Sequence, residues 1–342
     1  MTDHDTTSHD IISPPPQHGF RWYFEGDDGL RAGWSLLLFI GFFGLLVVGG
    51  NLLLATLHLV PPPPPRGSHV PPHEMTPRLT ALGEFIGFGA VLLASWFMSL
   101  IERRPFARYG FTPRRMPSDF FAGLAWGFGM LSLLVGMLRL THGIAFDGLA
   151  LHGAVAFTYA GKWAIVFLLV GLFEEFFTRG YLQFTVARGV AGIVRTISPA
   201  NRHAHTISFW VAAFIFSVCL FMAGHLKNAG ENPVGLIAVG LAGTVFAFSL
   251  YRTGSLWWAV GMHASWDWAQ SFFYGTPDSG TRSLGHLLAT HPIGSTFLSG
   301  GDDGPEGSIL VVPTLLLVAL VIHRTLPRRD YPVTPDQANP RA

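Results

Sequence analysis

Residues 161–188 read GKWAIVFLLVGLFEEFFTRGYLQFTVAR, a run apolar enough for a membrane helix that nevertheless contains Glu174, Glu175 and Arg179. An ionised side chain in hydrocarbon costs several kcal/mol unless it is neutralised, paired or in contact with water. Glu175 and Arg179 are four residues apart and share one helix face, whereas Glu174 lies about 100° further round the helix. The spacing therefore predicts a structural Glu175–Arg179 pair and leaves Glu174 free for chemistry. Taken alone, the stretch equally fits the cytoplasmic end of a membrane helix, with its charges among the headgroups.

The composition is that of a membrane protein. Hydrophobic residues make up 49% of the 342 residues and charged residues only 13%, whereas soluble domains carry about 25% charged residues. The formal net charge of +1 does not favour a nucleic-acid partner, and we expect none. The single cysteine, Cys219, excludes an intramolecular disulfide and argues against a cysteine-based metal site.

Apolar runs recur along the chain and predict an all-α, polytopic integral membrane protein with about eight transmembrane helices, since a helix needs about 20 apolar residues to cross a bilayer. The runs cover residues 32–60, 79–101, 120–138, 161–188, 206–224, 234–250, 255–273 and 308–322. Most arginines lie in the loops after the second, fourth and sixth runs and in the tail. This bias predicts that both termini are cytoplasmic.

Changes in composition divide the chain into four parts. Residues 1–30 are polar and proline-containing, which predicts a disordered cytoplasmic N-terminus. Residues 31–150 hold the N-terminal transmembrane helices, and residues 151–275 form the predicted catalytic core. Residues 276–342 contain a polar loop, the last transmembrane helix and a basic tail.

Ionisable residues recur in two further apolar runs. His225 follows Phe221 by four residues, and His263 precedes Asp267 by four, so each pair shares a helix face. Together with Glu174, these residues supply a carboxylate, two imidazoles and a second carboxylate. Such a set can activate a water molecule and stabilise an oxyanion, or ligate a metal. Taken singly, a membrane histidine is more often an interhelical hydrogen bonder than a catalyst.

The order of these motifs resembles that of the CPBP intramembrane proteases, which include CAAX prenyl protease 2 and bacterial Abi-type membrane peptidases. The residues that match are Glu-Glu-x-x-x-Arg at 174–179, Phe-x-x-x-His at 221–225 and His-x-x-x-Asp/Asn at 263–267. The resemblance covers about residues 160–270. It implies a CAAX protease-like helical core and a membrane-embedded peptidase that hydrolyses a peptide bond of a membrane-associated protein or peptide. The bacterial members imply a multi-pass protein of the bacterial cytoplasmic membrane, in contact with lipid.

The resemblance also implies roles for single residues. Glu174 is the base, His225 its partner on the water, and His263 and Asp267 stabilise the oxyanion. Asp267 stands where asparagine occurs in some relatives, and an aspartate donates a hydrogen bond only when protonated. Members are described both as metal-dependent and as glutamate peptidases. A divalent metal such as zinc is therefore an open alternative, with Glu174, His225, His263 and Asp267 as its candidate ligands.

Two other functions and one geometric conflict stay open at this stage. A catalytically inert immunity or binding protein of the same fold, or a proton-coupled transporter, could use the same residues. If the helices are straight and perpendicular to the membrane, His225 falls near one membrane face while Glu174 sits deeper. Continuation of the glutamate helix to about Arg188, combined with helix tilt or extension of the next helix past His225, would remove this conflict.

Overall fold

The structure, a computed structural model, describes residues 20–26, 29–61, 74–226, 228 and 230–328. Most of the predicted disordered segment, residues 1–30, therefore lies outside the described residues. The α-helices are α1 (Ala32–Thr56), α2 (Pro77–Ile101), α3 (Met116–Leu140), α4 (Gly153–Glu175), α5 (Gln183–Ile197), α6 (Ala204–Phe214), α7 (Met222–His225), α8 (Pro233–Thr253), α9 (Trp257–Asp267), α10 (Thr296–Ser299) and α11 (Val311–Thr325). Three π-helical segments (Phe176–Leu182, Ile215–Phe221 and Trp268–Phe273) continue α4, α6 and α9.

Six helices of the described chain are long and apolar enough to cross a membrane, so the all-helical, multi-pass membrane class is confirmed. They are α1, α2, α3, the continuous Gly153–Ile197 helix, the continuous Ala204–His225 helix and α8. The predicted seventh and eighth spans are shorter helices. α11, for example, has 15 residues and spans about 22 Å, less than the ~30 Å hydrocarbon core.

The glutamate helix is longer than the sequence predicts. α4 runs through a π-helical segment into α5, giving 45 continuous residues that end at Ile197 rather than near Arg188. The backbone leaves helical geometry at Gly180, where ψ is −108°. Glu174 therefore lies near the middle of the helix. The next helix ends at His225 rather than past it, and Glu174 and His225 nevertheless line one cavity.

Close backbone packing holds α9 against α3. A Cβ atom added at Gly123 would lie 2.2 Å from the Trp258 carbonyl oxygen, and one at Gly261 would lie 2.2 Å from the Phe120 carbonyl oxygen. Small residues allow membrane helices to approach this closely. The α3–α9 contact therefore fixes the position of the helix that carries His263 and Asp267.

The described residues also contain six short strands, which the sequence analysis missed. They are β1 (Glu25–Gly26), β2 (Gly29–Leu30), β3 (Glu74–Met75), β4 (Ile144–Leu149), β5 (Arg282–Ser283) and β6 (Leu288–Pro292). β3 pairs with β5 in parallel, and β4 pairs with β6 in antiparallel fashion. Both pairs attach residues 275–307, here called the cap, to the N-terminal half of the chain. The boundaries between parts of the chain that the sequence predicts at residues 150 and 275 stay predictions.

Candidate active site

One cavity of about 240 Å³ is lined by Glu174, His225, His263 and Asp267. They come from three different helices: α4 supplies Glu174, α7 supplies His225, and α9 supplies the other two. Glu174 and His263 are 89 positions apart in the sequence, and the fold places both at the same cavity. Ionisable groups in a membrane protein are tolerated when they face one another or water in this way.

A π-helical segment lies beside each group of motif residues. Phe176–Leu182 begins directly after Glu175, Trp268–Phe273 begins directly after Asp267, and Ile215–Phe221 ends four residues before His225. Such segments are rare and are often found at functional sites, because the extra residue per turn re-aims the side chains around it. The positions of the π-helical segments therefore indicate the same three parts of the chain as the motifs do, without reference to residue type.

Glu175 and Arg179 form a fully buried ion pair. Arg179 Nη1 lies 2.6 Å from Glu175 Oε1, and both side chains are 0% exposed. Arg179 Nε also donates to the Gly243 carbonyl oxygen at 3.2 Å. The guanidinium lies over the Phe221 and Phe246 rings, 5.1 and 5.4 Å from their centroids. This one side chain therefore contacts the long helix, α8 and the segment before His225.

Glu175 has a second contact that the sequence analysis missed. Its Oε1 also accepts a hydrogen bond from His263 Nδ1 at 3.0 Å. The other ring nitrogen, His263 Nε2, lies 3.5 Å from Asp267 Oδ2 and 3.7 Å from Glu174 Oε2. Spacing along one helix could identify the Arg179 contact but carries no signal for a partner on another helix. The buried ion pair thus also orients the imidazole in the cavity.

The ring of His225 is held by its own helix. His225 Nδ1 lies 2.8 Å from the Phe221 carbonyl oxygen, and a carbonyl oxygen can only accept. Nδ1 therefore carries the proton in this bond, which leaves Nε2 of the neutral imidazole as an acceptor. The Phe221 ring packs against the imidazole at 4.9 Å. This arrangement explains physically why a residue four positions before the histidine belongs to the motif.

Several cavity residues lie outside the motifs. Glu84 of α2 lines the cavity, as do Asp278, Ser279 and Glu306 of the cap. The sequence showed Glu84 only as the single charge of its run, and the cap only as a polar loop. A lone glutamate in an apolar run is a signal that could have marked Glu84 as functional, whereas the cap residues carried no such signal.

Comparison with known proteins agrees with the motif order. Residues 156–269 match the family model described as type II CAAX prenyl endopeptidase Rce1-like. This segment is CAAX protease-like. The predicted resemblance is thereby confirmed for the part of the chain that contains all of the motif residues. No curated protein matches the chain significantly. No solved structure matches it significantly either.

The six apolar helices and the CAAX protease-like segment together make this an integral, multi-pass membrane protein. α1, α2, α3 and the cap lie outside the matched segment. Its location in the bacterial cytoplasmic membrane stays a prediction.

The metal alternative does not fit the donor geometry. Among the residues that the structure describes, no group of three or more His, Cys, Asp and Glu side chains is arranged to hold a metal ion. Glu174, His225, His263 and Asp267 line the cavity but do not form such a group. We therefore derive no step through a metal.

Buried carboxyl groups join the cap to the turn after His225. Burial, with the nearby charge of Glu306 as a smaller cause, raises the pKa of Glu231 to about 7. Burial, with Glu306 and Glu231 as smaller causes, raises the pKa of Asp303 to about 8. Asp303 Oδ2 accepts from the Asn232 backbone N–H at 3.2 Å, and the Asn232 side chain donates to the Gly300 carbonyl oxygen at 3.2 Å. The cap is thus anchored by acids that the fold accommodates in their protonated form.

We expect the thermal stability of the protein to fall as the pH rises through this range. Both carboxyl groups have folded-state pKa values above their unfolded values near 4, so the folded state binds more protons. The stability that this provides is complete below about pH 4 and is lost as the pH passes about 8. In detergent, Tm should drop by several degrees between about pH 6 and about pH 9. Glu231→Gln should flatten this dependence, whereas a change at exposed Asp302 (Asp302→Asn) should keep it. A wild-type Tm that is constant over this interval would contradict the assignment.

Proposed function

We propose that the protein is an intramembrane endopeptidase that hydrolyses a peptide bond of a membrane-associated protein or peptide. The observation that carries this proposal is the single cavity shared by Glu174, His225, His263 and Asp267. The match of residues 156–269 to a protease family supports it. In this proposal the nucleophile is a water molecule, because the four residues include a base and hydrogen-bond donors but no serine, threonine or cysteine.

Glu174 and His225 activate the water. The Glu174 side chain is 31% exposed to the cavity, so a water molecule can reach it, and the contacts of the buried pair are made by its neighbour Glu175. Glu174 takes a proton from the water while His225 Nε2, the free acceptor of that ring, orients it. The resulting hydroxide adds to the carbonyl carbon of the peptide bond.

His263 stabilises the oxyanion that this addition creates. Its Nδ1 is held by Glu175, so its Nε2 is directed to the cavity and can donate to the oxyanion when protonated. Asp267, with Oδ2 at 3.5 Å from Nε2, keeps the imidazole in place and adds a second donor when it is itself protonated. The tetrahedral intermediate collapses as the C–N bond breaks, and the proton held by Glu174 passes to the leaving amine.

The test is peptide cleavage by the purified protein in liposomes. A membrane-embedded peptide with a fluorophore and quencher on opposite sides of its cleavage site should be cut by the wild type. Ion or solute flux into the same liposomes distinguishes a transporter. Flux without cleavage would overturn the proposal in favour of transport. Peptide binding without either activity would overturn it in favour of an inert binding protein.

Removal of divalent metals should leave the rate of cleavage unchanged. The reason is that no group of three or more His, Cys, Asp and Glu side chains among the described residues could hold a metal ion, and in this proposal Glu174 and His225 activate the water without one. The measurement is the cleavage rate after dialysis against EDTA and after treatment with 1,10-phenanthroline. Loss of activity that added zinc restores would contradict this prediction and assign the four residues as ligands instead.

A further inference from the structure

Glu84 brings a carboxyl group into the candidate active site from outside the protease-like segment. It lies on α2, which packs along the long glutamate helix, and it lines the same cavity as Glu174 and His263. Thr80, one turn earlier on the same face of α2, lines the cavity as well. Glu84 lies about 70 residues before the matched segment, which begins at residue 156. It is therefore not one of the residues used in the proposed chemistry.

Among the described residues, no lysine or arginine side chain pairs with the carboxyl group of Glu84. Its Oε2 atom is buried and accepts no hydrogen bond from any described residue. The charged groups within electrostatic range are Glu174, which repels it, and His263. A carboxyl group in a membrane helix is costly unless it is satisfied. Glu175, a buried carboxyl group on a membrane helix beside the cavity, is by contrast paired with Arg179.

Carboxyl groups outnumber basic groups around the cavity. Five described lining residues carry carboxyl groups: Glu84, Glu174, Asp267, Asp278 and Glu306. Two described lining residues are histidines, and no described lining residue is a lysine or arginine. Electrostatic complementarity therefore favours an occupant that brings positive charge and rejects one that brings a carboxylate.

The remaining walls are apolar. Phe167 and Val170 of α4, Phe246 of α8 and Leu315 of α11 line the cavity between the carboxyl groups. Apolar walls with a few polar groups at fixed positions are typical of sites that bind an extended segment and select one side chain of it. The occupant that suits these walls is an apolar peptide segment with one basic side chain.

We propose that Glu84 is a specificity-determining residue that binds a lysine or arginine side chain close to the scissile bond of the substrate. This inference rests on the proposed endopeptidase function and adds the class of substrate. The carboxylate of Glu84 accepts a hydrogen bond from the ammonium or guanidinium group, whose positive charge offsets the negative charge of the carboxylate.

The experiment compares three membrane-embedded peptides in liposomes, identical except for lysine, norleucine or glutamate at one position near the cleavage site. The position is varied over the residues that flank the scissile bond, and all N-termini are acetylated so that only the side chain supplies a cation. For the wild type we expect kcat/KM to be at least about tenfold higher for the lysine peptide than for the norleucine peptide. The glutamate peptide should be the poorest substrate.

Variants at Glu84 should change this preference. In Glu84→Gln, the lysine-to-norleucine ratio should fall to near one, and in Glu84→Lys the glutamate peptide should become better than the lysine peptide. Glu84→Asp should keep part of the preference. The matched control is Glu74→Gln, which removes an exposed carboxyl group that does not line the cavity, and its ratio should equal that of the wild type.

The outcomes separate this inference from the proposed function. If the wild type cleaves all three peptides equally, or if Glu84→Gln keeps the lysine preference, the inference is overturned while the endopeptidase function stands. If no peptide is cleaved, the proposed function fails. Binding of the labelled peptides to Glu174→Gln protein, with and without Glu84→Gln, then tests Glu84 without turnover, and equal affinity for lysine and norleucine peptides overturns the inference.

Discussion

Glu174→Gln is expected to lower kcat/KM for peptide cleavage by about 10²- to 10⁴-fold, the range for loss of a general base. Glutamine has nearly the same shape, so the cavity and its contacts are kept, but the amide cannot take a proton from water. His225→Ala should cause a loss of similar size because Nε2 of this ring orients the same water. The measurement is the rate of cleavage of the quenched peptide in liposomes by each purified variant.

The double variant distinguishes a catalytic unit from two independent effects. Residues that act together on one water lose activity non-additively, so Glu174→Gln/His225→Ala should be little worse than either single variant. Asp302→Asn, at an exposed carboxyl group outside the cavity, is the matched control and should keep wild-type activity. Wild-type cleavage by Glu174→Gln would show that the catalytic assignment is wrong, whatever the fold.

Arg179→Met is expected to destabilise the folded protein by about 3–5 kcal/mol, because it removes one partner of a buried ion pair and leaves the other charge uncompensated. Methionine retains much of the apolar volume of the arginine side chain. The loss of stability therefore reflects the missing charge and hydrogen bonds rather than a new cavity. The hydrogen bond to the Gly243 carbonyl oxygen and the contacts with Phe221 and Phe246 are lost as well. Folded yield and Tm in detergent should therefore fall before catalysis is affected in the surviving protein.

A second variant and a control make this prediction specific. Glu175→Gln/Arg179→Met removes both charges and should regain much of the Tm lost in the single variant, since a neutral buried pair has no uncompensated charge. The control is Asp147→Asn, which breaks the His291–Asp147 contact, whose side chains are 54% and 49% exposed. Exposed pairs contribute about 0–1 kcal/mol. A well-folded but inactive Arg179→Met protein would instead indicate a direct role for Arg179 in catalysis or substrate binding.

The sequence by itself determined the class of the protein and four residues that line the candidate site: Glu174, His225, His263 and Asp267. Long apolar runs require helices that satisfy their own backbone in lipid, and six of the predicted runs are membrane-length helices. Charges in such runs are costly, so Glu174, Glu175, Arg179, His263 and Asp267 were recognisable without any structure. Spacing of four residues on a helix was sufficient to pair Glu175 with Arg179 and Phe221 with His225, because i and i+4 side chains lie on one face.

The tertiary structure alone decided which residues meet across helices. The Glu175–His263 hydrogen bond joins residues 88 positions apart, and the position of Glu84 in the cavity depends on how α2 packs against α4. The cap reaches the cavity through short strand pairs, and these leave little periodicity in a sequence. Helix periodicity reports only which residues share a face, whereas the packing of one helix on another depends on the shape and volume of all the side chains between them. The sequence indicates the principal residues of the candidate site because ionisable side chains are costly in a membrane, and the fold brings those residues together.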